Sequence, residues 1–377
     1  MTQPGTSSLA AREPRQSYFM PGPLIRCVCA LLICVTHAAT PLWFGFGETG
    51  QPEGILVPAT IYMLFSKTGT AGFILLAGVL LIPRTREAVG PYLSKRLHRW
   101  LPAILFAQAL YLGWQLQTGT LALEALSWTD LVEPASTHLW FFYAMGVIYL
   151  AVIPMRWYVR QTETMDGTVR LVALALPTLL TVGAMVIMAL RGGAWGYLTP
   201  VNLLIYCGYA WTGYLLVRNP PRTPWLGVLL VVIGVVGTIV ITIVISQATG
   251  ELEKQFIHRN SLGMAALAVG QFLLLQRLDR AITAPAWRAR LVRLSDLTLG
   301  IFTIHPLLMA LAGGPERLIA QLEPAWFWIA LPAYGVALFV ASAVVVWAWF
   351  RLAVYLPLVP TLTQDRATRF EPPGNAR

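Results

Sequence analysis

At 377 residues, 56% hydrophobic and only 12% charged, the chain lies well outside the averages for a soluble domain, and its apolar runs recur along nearly the whole length. A soluble enzyme is excluded, and the net charge of +10 reads as membrane topology rather than a nucleic-acid footprint. Cys27, Cys29, Cys34 and Cys207 sit inside apolar runs without metal-ligand spacing, so neither a disulfide framework nor a metal centre is expected.

Ten runs are long enough to cross ~30 Å of hydrocarbon as helices. They centre on 24–46, 58–82, 100–118, 139–157, 171–190, 199–217, 225–246, 260–276, 296–313 and 326–350. The expected fold is an all-α polytopic membrane helix bundle over residues 21–356, between a disordered tail at 1–20 and a polar tail at 357–377. The first run is too long for the apolar core of a cleaved signal and is expected to be retained. The tails and alternate loops hold 22 of the 27 lysines and arginines on one face, which the positive-inside rule assigns to the cytoplasm together with both termini. The opposite loops carry acids, among them Glu48, Glu53, Glu124, Asp130, Glu251 and Glu316.

The first span places Arg26 and His37 eleven residues apart. At ~100° and ~1.5 Å per residue they share one helix face with roughly 16 Å of rise between them. Arg26 then lies at one membrane edge and His37 near mid-bilayer, where an imidazole costs free energy unless it faces a cavity or a partner. A histidine hydrogen-bonded between packed helices is the alternative; the aligned Arg26 favours a functional role. After a Gly- and Pro-containing turn at Glu48 to Glu53, the second span carries Lys67 among the small residues Gly69, Ala71, Gly72, Ala77 and Gly78. Small residues allow close helix approach, which predicts a central helix. Lys67 reads either as an anion-facing charge or as a lysine snorkelling through a helix break at Thr68 to Thr70.

Arg84, Arg86 and the stretch YLSKRLHRWLPAILF follow. Tyr92 to Trp100 reads as a short amphipathic surface helix feeding the third span at Pro102, with Arg96 and Arg99 side by side at i, i+3. Two guanidiniums so placed suit a polyphosphate, and topology or headgroup anchoring is the commoner alternative. An acidic outer loop ends in His138 and Trp140, which places His138 at the outer mouth and Trp140 and Tyr143 in an interfacial belt. Tyr197, Asn202, Tyr206 and Tyr209 add polar tips to the sixth span; the seventh carries no chemistry and reads as lipid-facing. His258, Arg259 and Asn260 open the eighth span. In the ninth, His305 lies ~15 Å deep, level with His37, and Pro306 is expected to kink the helix and free a backbone carbonyl.

Four places in order make the chain resemble the acyltransferase-3 family of integral membrane acyltransferases over nearly its full length. They are Arg26-x10-His37, the stretch Phe73-Ile-Leu-Leu-Ala77-Gly78, the pair Arg96-x-x-Arg99 followed by Pro102, and HLWFFYAMGVIYLAVIP with the later LGIFTIHPLL. The family's serine before Gly78 is Ala77 here, so any hydroxyl role is lost at that position. The soluble hydrolase-like domain fused to some members is also absent, and the chain is expected to act alone or with a separate partner.

The resemblance implies a bacterial inner-membrane enzyme that moves an acyl group, usually acetyl, from cytoplasmic acyl-CoA to a hydroxyl of an exported or lipid-linked saccharide such as an exopolysaccharide or O-antigen unit. Under it Arg26, Arg96 and Arg99 hold the phosphates of acetyl-CoA. His37 acts as general base or as the group carrying the acyl, and His305 is the second catalytic candidate. Lys67, His138 and Trp140 fall to the acceptor side, and Trp43, Trp140 and Trp195 suit either sugar stacking or interface anchoring. The oxyanion partner is sought in Lys67, a tyrosine of the sixth span or the backbone near Pro306. Neither a metal nor a nucleic acid is expected; membrane lipids and glycan-biosynthesis or export proteins are the expected partners. The rivals are a transporter or flippase of a polysaccharide precursor, which paired half-repeats would favour, and a structural subunit of an export assembly.

Overall fold

The computed structural model describes residues 22–45, 54–190, 196–254, 256–258, 260–319 and 321–353. The expected tails 1–20 and 357–377, the turn at Glu48 to Glu53, Trp195 and Arg259 lie outside the described residues. Among the described residues there is no strand. The α-helices are α1 (Pro23–Phe44), α2 (Leu56–Ser66), α3 (Thr68–Leu81), α4 (Val89–Thr118), α5 (Trp128–Val132), α6 (Trp140–Thr162) and α7 (Gly167–Leu190). They continue as α8 (Pro200–Arg218), α9 (Trp225–Gly234), α10 (Ile241–Thr249), α11 (Leu262–Ala281), α12 (Pro285–Leu311), α13 (Pro315–Ile319) and α14 (Phe327–Ala353).

The molecule is thus an all-α polytopic membrane bundle. Among the described residues seven helical stretches are long and apolar enough to cross a bilayer: α1, α2 with α3, α6, α7, α9 with α10, α12 and α14. Helices α4, α8 and α11 occupy the other three expected spans and carry more polar residues, on an exposed basic N-terminal stretch in α4 and at buried positions in α8 and α11. In α11, for example, Gln271, Gln276 and Asp279 are all buried. Helix α1 is the hub, packed against α2, α3, α11, α12 and α14. The outer wall is made by α7 and the α9–α10 stretch, only 22% of whose apolar window is buried in each case, leaving rows of Leu, Val and Ile for lipid.

The second span breaks into α2 and α3 at Lys67 alone, one residue before the expected break. Gln271 of α11 stitches the joint, donating to the Phe65 carbonyl at 3.1 Å while accepting from Thr68 Oγ1 at 2.5 Å. The expected centrality of this span follows from its glycines: a Cβ on Gly78 would overlap the Ala210 carbonyl oxygen, and one on Gly213 would overlap that of Leu75. Helices α3 and α8 therefore touch backbone to backbone. Gly78→Ala is expected to cost about 1–3 kcal/mol through forced separation of the two helices. The check is a lowered unfolding temperature in detergent, with Ala77→Gly, one residue away on a half-buried site, as the control.

Two expected local features differ. Tyr92 to Trp100 is not a separate surface helix: α4 runs unbroken from Val89 to Thr118 through Pro102. The bond lost at Pro102 is offset because the residues after it, Ala103, Ile104, Ala107 and Tyr111, are buried against the core. The seventh span is also not chemically blank. It contains a π-helical turn, Val235–Val240, and turns Thr238, Thr242 and Ser246 inward at the four-residue spacing of one helix face, each fully buried.

On the basic face, Arg156 is 5% exposed and closes the end of α3, its Nε and Nη2 donating to the Leu81 carbonyl at 3.0 and 2.8 Å. Cations near a helix C-terminus complement its dipole. Arg156 also donates to Glu87 at 3.0 Å and lies over the Tyr92 ring at 4.2 Å. Burial pushes the Glu87 carboxyl up, but hydrogen bonds from Lys95 and Arg156 outweigh it and hold the group below the usual carboxylate range.

Candidate active site

Three histidines from three separate elements meet inside the bundle. The ring centroids of His37 (α1) and His305 (α12) are 4.8 Å apart, those of His138 and His305 5.7 Å, and those of His37 and His138 6.3 Å. His305 is fully buried and His138 is 4% exposed, whereas His37 is half-buried. His138 is therefore not at an outer mouth. It lies on a 3₁₀ turn, Thr137–Leu139, that leads into α6 beneath the folded acidic loop. Gln108 of α4 holds that loop down: its Nε2 donates to the Asp130 carbonyl at 3.0 Å and to that of Glu133, and its Oε1 accepts from Ala135 N at 3.1 Å.

The proton on His305 can be placed. Its Nδ1 is 3.0 Å from the Ile301 carbonyl, which only accepts, so Nδ1 carries the hydrogen and Nε2 presents a lone pair. That Nε2 and the Nε2 of His138 are buried without a hydrogen-bond partner. His138 Nδ1 pairs with Ser136 Oγ at 2.9 Å. The walls are aromatic: Phe302 lies 5.6 Å from His138 and 6.0 Å from His305, and Tyr111 lies 4.9 Å from His138 with its hydroxyl donating to the Thr303 carbonyl at 2.9 Å. Sequence reasoning missed Tyr111, an aromatic in an apolar run with no local signal. The three rings do not form a metal-holding group among the described residues.

Pro306 lies within α12, which continues to Leu311. The carbonyl that a proline frees is an acceptor, so this backbone cannot donate to an oxyanion. Lys67 donates to the Ile257 carbonyl at 3.0 Å, tying the α2–α3 joint to the loop before α11. The joint lies beside the histidines, since Ser66 Oγ is 3.0 Å from Thr36 Oγ1, the hydroxyl next in sequence to His37. Trp140 is 5% exposed, with Tyr197 stacked on it at 5.5 Å and Tyr206 at 5.2 Å. Of the two stacked rings Tyr197 is the outer one, 36% exposed, and covers Trp140. Trp43 is fully buried with its Nε1 bonded to Thr60 at 3.0 Å, and so is a core residue rather than a stacking platform.

Nearer the basic face, Arg26, Arg96 and Arg99 all act electrostatically on one side chain, Tyr149 of α6. The Tyr149 carbonyl accepts from the Tyr92 hydroxyl at 2.9 Å, and Arg96 lies over the Tyr92 ring at 5.7 Å. The Nε of Arg96 is buried without a partner. Guanidiniums from α1 and α4 thus lie within electrostatic reach of one side chain, and the eleven-residue step along α1 from Arg26 to His37 carries the rise from there to the imidazoles, about 16 Å. Tyr92 and Tyr149 as parts of this group were not legible as such, although Tyr92 precedes Arg96 by one helix turn.

Asp279 of α11 sets the position of α1. Fully buried, it accepts from Gly22 N at 3.0 Å and Leu24 N at 2.9 Å, the first amides of that helix, while Arg288 stands 4.0 Å from its carboxylate. Gly22 turns into this cap with φ 141°, a conformation that other residues rarely adopt.

No curated protein and no solved structure matches the chain. A family model described as an acyltransferase domain, that of the acyltransferase-3 proteins, matches residues 24–351, from the start of α1 into the last turn of α14. That match covers the arginines, the three histidines and nearly every described helix, and the chain belongs to the acyltransferase-3 family of membrane acyltransferases.

Proposed function

We propose that the protein is an O-acyltransferase, in the first instance an O-acetyltransferase, that takes its acyl group from acyl-CoA at the basic face and passes it to a saccharide hydroxyl. The observation that carries this reading is the pairing, along one helix, of a guanidinium group at one end with an imidazole cluster three turns deeper. Arg26, Arg96 and Arg99 suit the phosphates of the donor, since planar forks of donors that keep their charge match phosphate oxygens. The pantetheine arm is thin and linear and suits the rise along α1.

At the cluster, His37 takes the proton from the acceptor hydroxyl as the oxygen attacks the thioester carbonyl. The carbon–sulfur bond then breaks, and the departing thiolate receives the proton from His37, so ester and free CoA form in balance. His305 faces His37 with an unprotonated Nε2 and orients or relays that proton, its own tautomer fixed by Ile301. The aromatic walls exclude water, which would otherwise hydrolyse the thioester. The acceptor side is Tyr197 with Trp140 behind it, an aromatic shelf suited to a saccharide. The basic-face arginines are cytoplasmic in this reading, and the membrane is a bacterial inner membrane.

The test is binding and turnover of acetyl-CoA by purified protein. Arg96→Ala/Arg99→Ala is expected to weaken donor binding by roughly 10–100-fold, since each charged hydrogen bond contributes about 1.5–3 kcal/mol before solvent screening. If wild-type protein shows no affinity for any acyl-CoA, the donor assignment fails.

A further inference from the structure

A cleft of about 460 Å³ opens on the basic face beside the loop between α3 and α4, bounded by Arg86, Val89, Tyr92, Arg156, Trp157 and Arg160. A second hollow of about 470 Å³ adjoins it along Pro83 to Glu87. The cleft is separate from the arginines around Tyr149 but shares a wall with them. The Tyr92 ring has Arg96 over it at 5.7 Å and Arg156, which lines the cleft, at 4.2 Å.

Its lining has the chemistry of an anion site. Three guanidiniums face one carboxylate, and that carboxylate, Glu87, is already paired with Lys95 and Arg156 at 3.0 Å each. Arg86 and Arg160 are exposed, and their guanidiniums make no hydrogen bond or ion pair among the described residues. Val89, the first residue of α4, lines the same cleft, and that helix begins without an acid in its first turn and without a side-chain cap. A long helix start of this kind favours negative charge and adds to the arginines rather than standing alone. One wall is not ionic: Trp157 is 55% exposed beside Ile153 and Pro154, giving a planar aromatic surface next to the cations.

We infer that this cleft is a second phosphate-ester site, shaped for a phosphate attached to an aromatic nucleoside. It receives the 3′-phosphorylated adenosine end of the donor while Arg96 and Arg99 hold the diphosphate. The inference rests on the acyl-CoA reading and adds to it a subsite with its own residues. Arg86 and Arg160 take the phosphate monoester, and Trp157 stacks the base. The headgroup of an anionic phospholipid offers the same phosphate chemistry without the base.

The probe is 3′,5′-adenosine diphosphate, titrated into the purified full-length protein, in parallel with retention of phosphatidylglycerol in mixed-lipid nanodiscs. R86Q/R160Q is expected to weaken nucleotide binding by about tenfold or more, and Trp157→Ala to weaken the nucleotide but not inorganic phosphate. If R86Q/R160Q instead changes only phosphatidylglycerol retention, the phosphate site stands and its occupant is a lipid headgroup. If neither ligand responds, the cleft is not a phosphate site. A nucleotide that binds at this cleft but is not displaced by acetyl-CoA overturns the donor reading while leaving the cleft in place. Binding lost in Arg96→Gln but unaffected by R86Q/R160Q leaves the donor reading intact and overturns the cleft.

Discussion

His37→Ala is expected to lower the rate of acyl transfer by about 10²–10⁴-fold while leaving donor affinity near that of the wild type. The loss corresponds to roughly 3–5 kcal/mol of transition-state stabilisation, the share supplied by a positioned base. Affinity is expected to survive because the proposed donor site, at Arg26, Arg96 and Arg99, lies about three helix turns away. The same geometry separates His37 from its neighbours. His305 Nδ1 is committed to the Ile301 carbonyl, so His305→Asn, which can keep that donation, is expected to retain more activity than His305→Ala. Single-turnover transfer from acetyl-CoA, with binding measured separately, resolves the two quantities. If His37→Ala transfers at the wild-type rate, the base is elsewhere in the cluster. If rate, affinity and unfolding temperature all fall together, the histidine is packing rather than chemistry.

Much of this site was legible because a bilayer makes charge conspicuous. Arg26 and His37 stand out in an apolar run, the i, i+3 spacing of Arg96 and Arg99 is a local property, and His305 has a depth that can be counted from the helix start. What local patterns do not carry is which helices meet. His138 ends an acidic loop and reads as exposed, yet Gln108, far away in sequence, folds that loop over the bundle and buries it. Trp43 reads as a stacking platform or an interfacial anchor and is a core residue because Thr60 on α2 accepts from its indole. The continuity of α4 through Pro102 is decided by burial of the following residues against α6 and the cluster. The helices themselves were recovered almost run for run, since length and hydropathy set them one at a time, whereas the α2–α3 joint at Lys67 depends on Gln271 from α11. Asp279 was missed for a related reason: in the stretch QRLDRA it has basic neighbours and reads as part of a solvated edge.

Asp279→Ala is expected to destabilise the bundle by about 3 kcal/mol or more, the range found when one partner of a buried charged pair is removed. An ordinary helix cap contributes only about 0.5–2 kcal/mol, so the excess is the diagnostic quantity. It arises because one fully buried carboxylate performs three tasks. It accepts from Gly22 N, accepts from Leu24 N, and balances Arg288 at 4.0 Å. Removing it strands two amides at the positive end of α1's dipole and takes away the carboxylate 4.0 Å from Arg288. Asp279→Asn keeps one acceptor oxygen but turns an NH₂ group toward the second amide, and so is expected to fall between wild type and alanine. The functional consequence is specific to α1, which carries Arg26 and His37 together: a tilt at its capped end moves the proposed donor site and the proposed catalytic imidazole at once. Transfer is therefore expected to show both a raised KM for acetyl-CoA and a lowered kcat at temperatures where the variant is still folded. A melt in detergent that matches wild type would show that the cap does not hold α1. A melt lowered by the expected amount with both kinetic constants intact would confine Asp279 to stability and detach it from the alignment of the site.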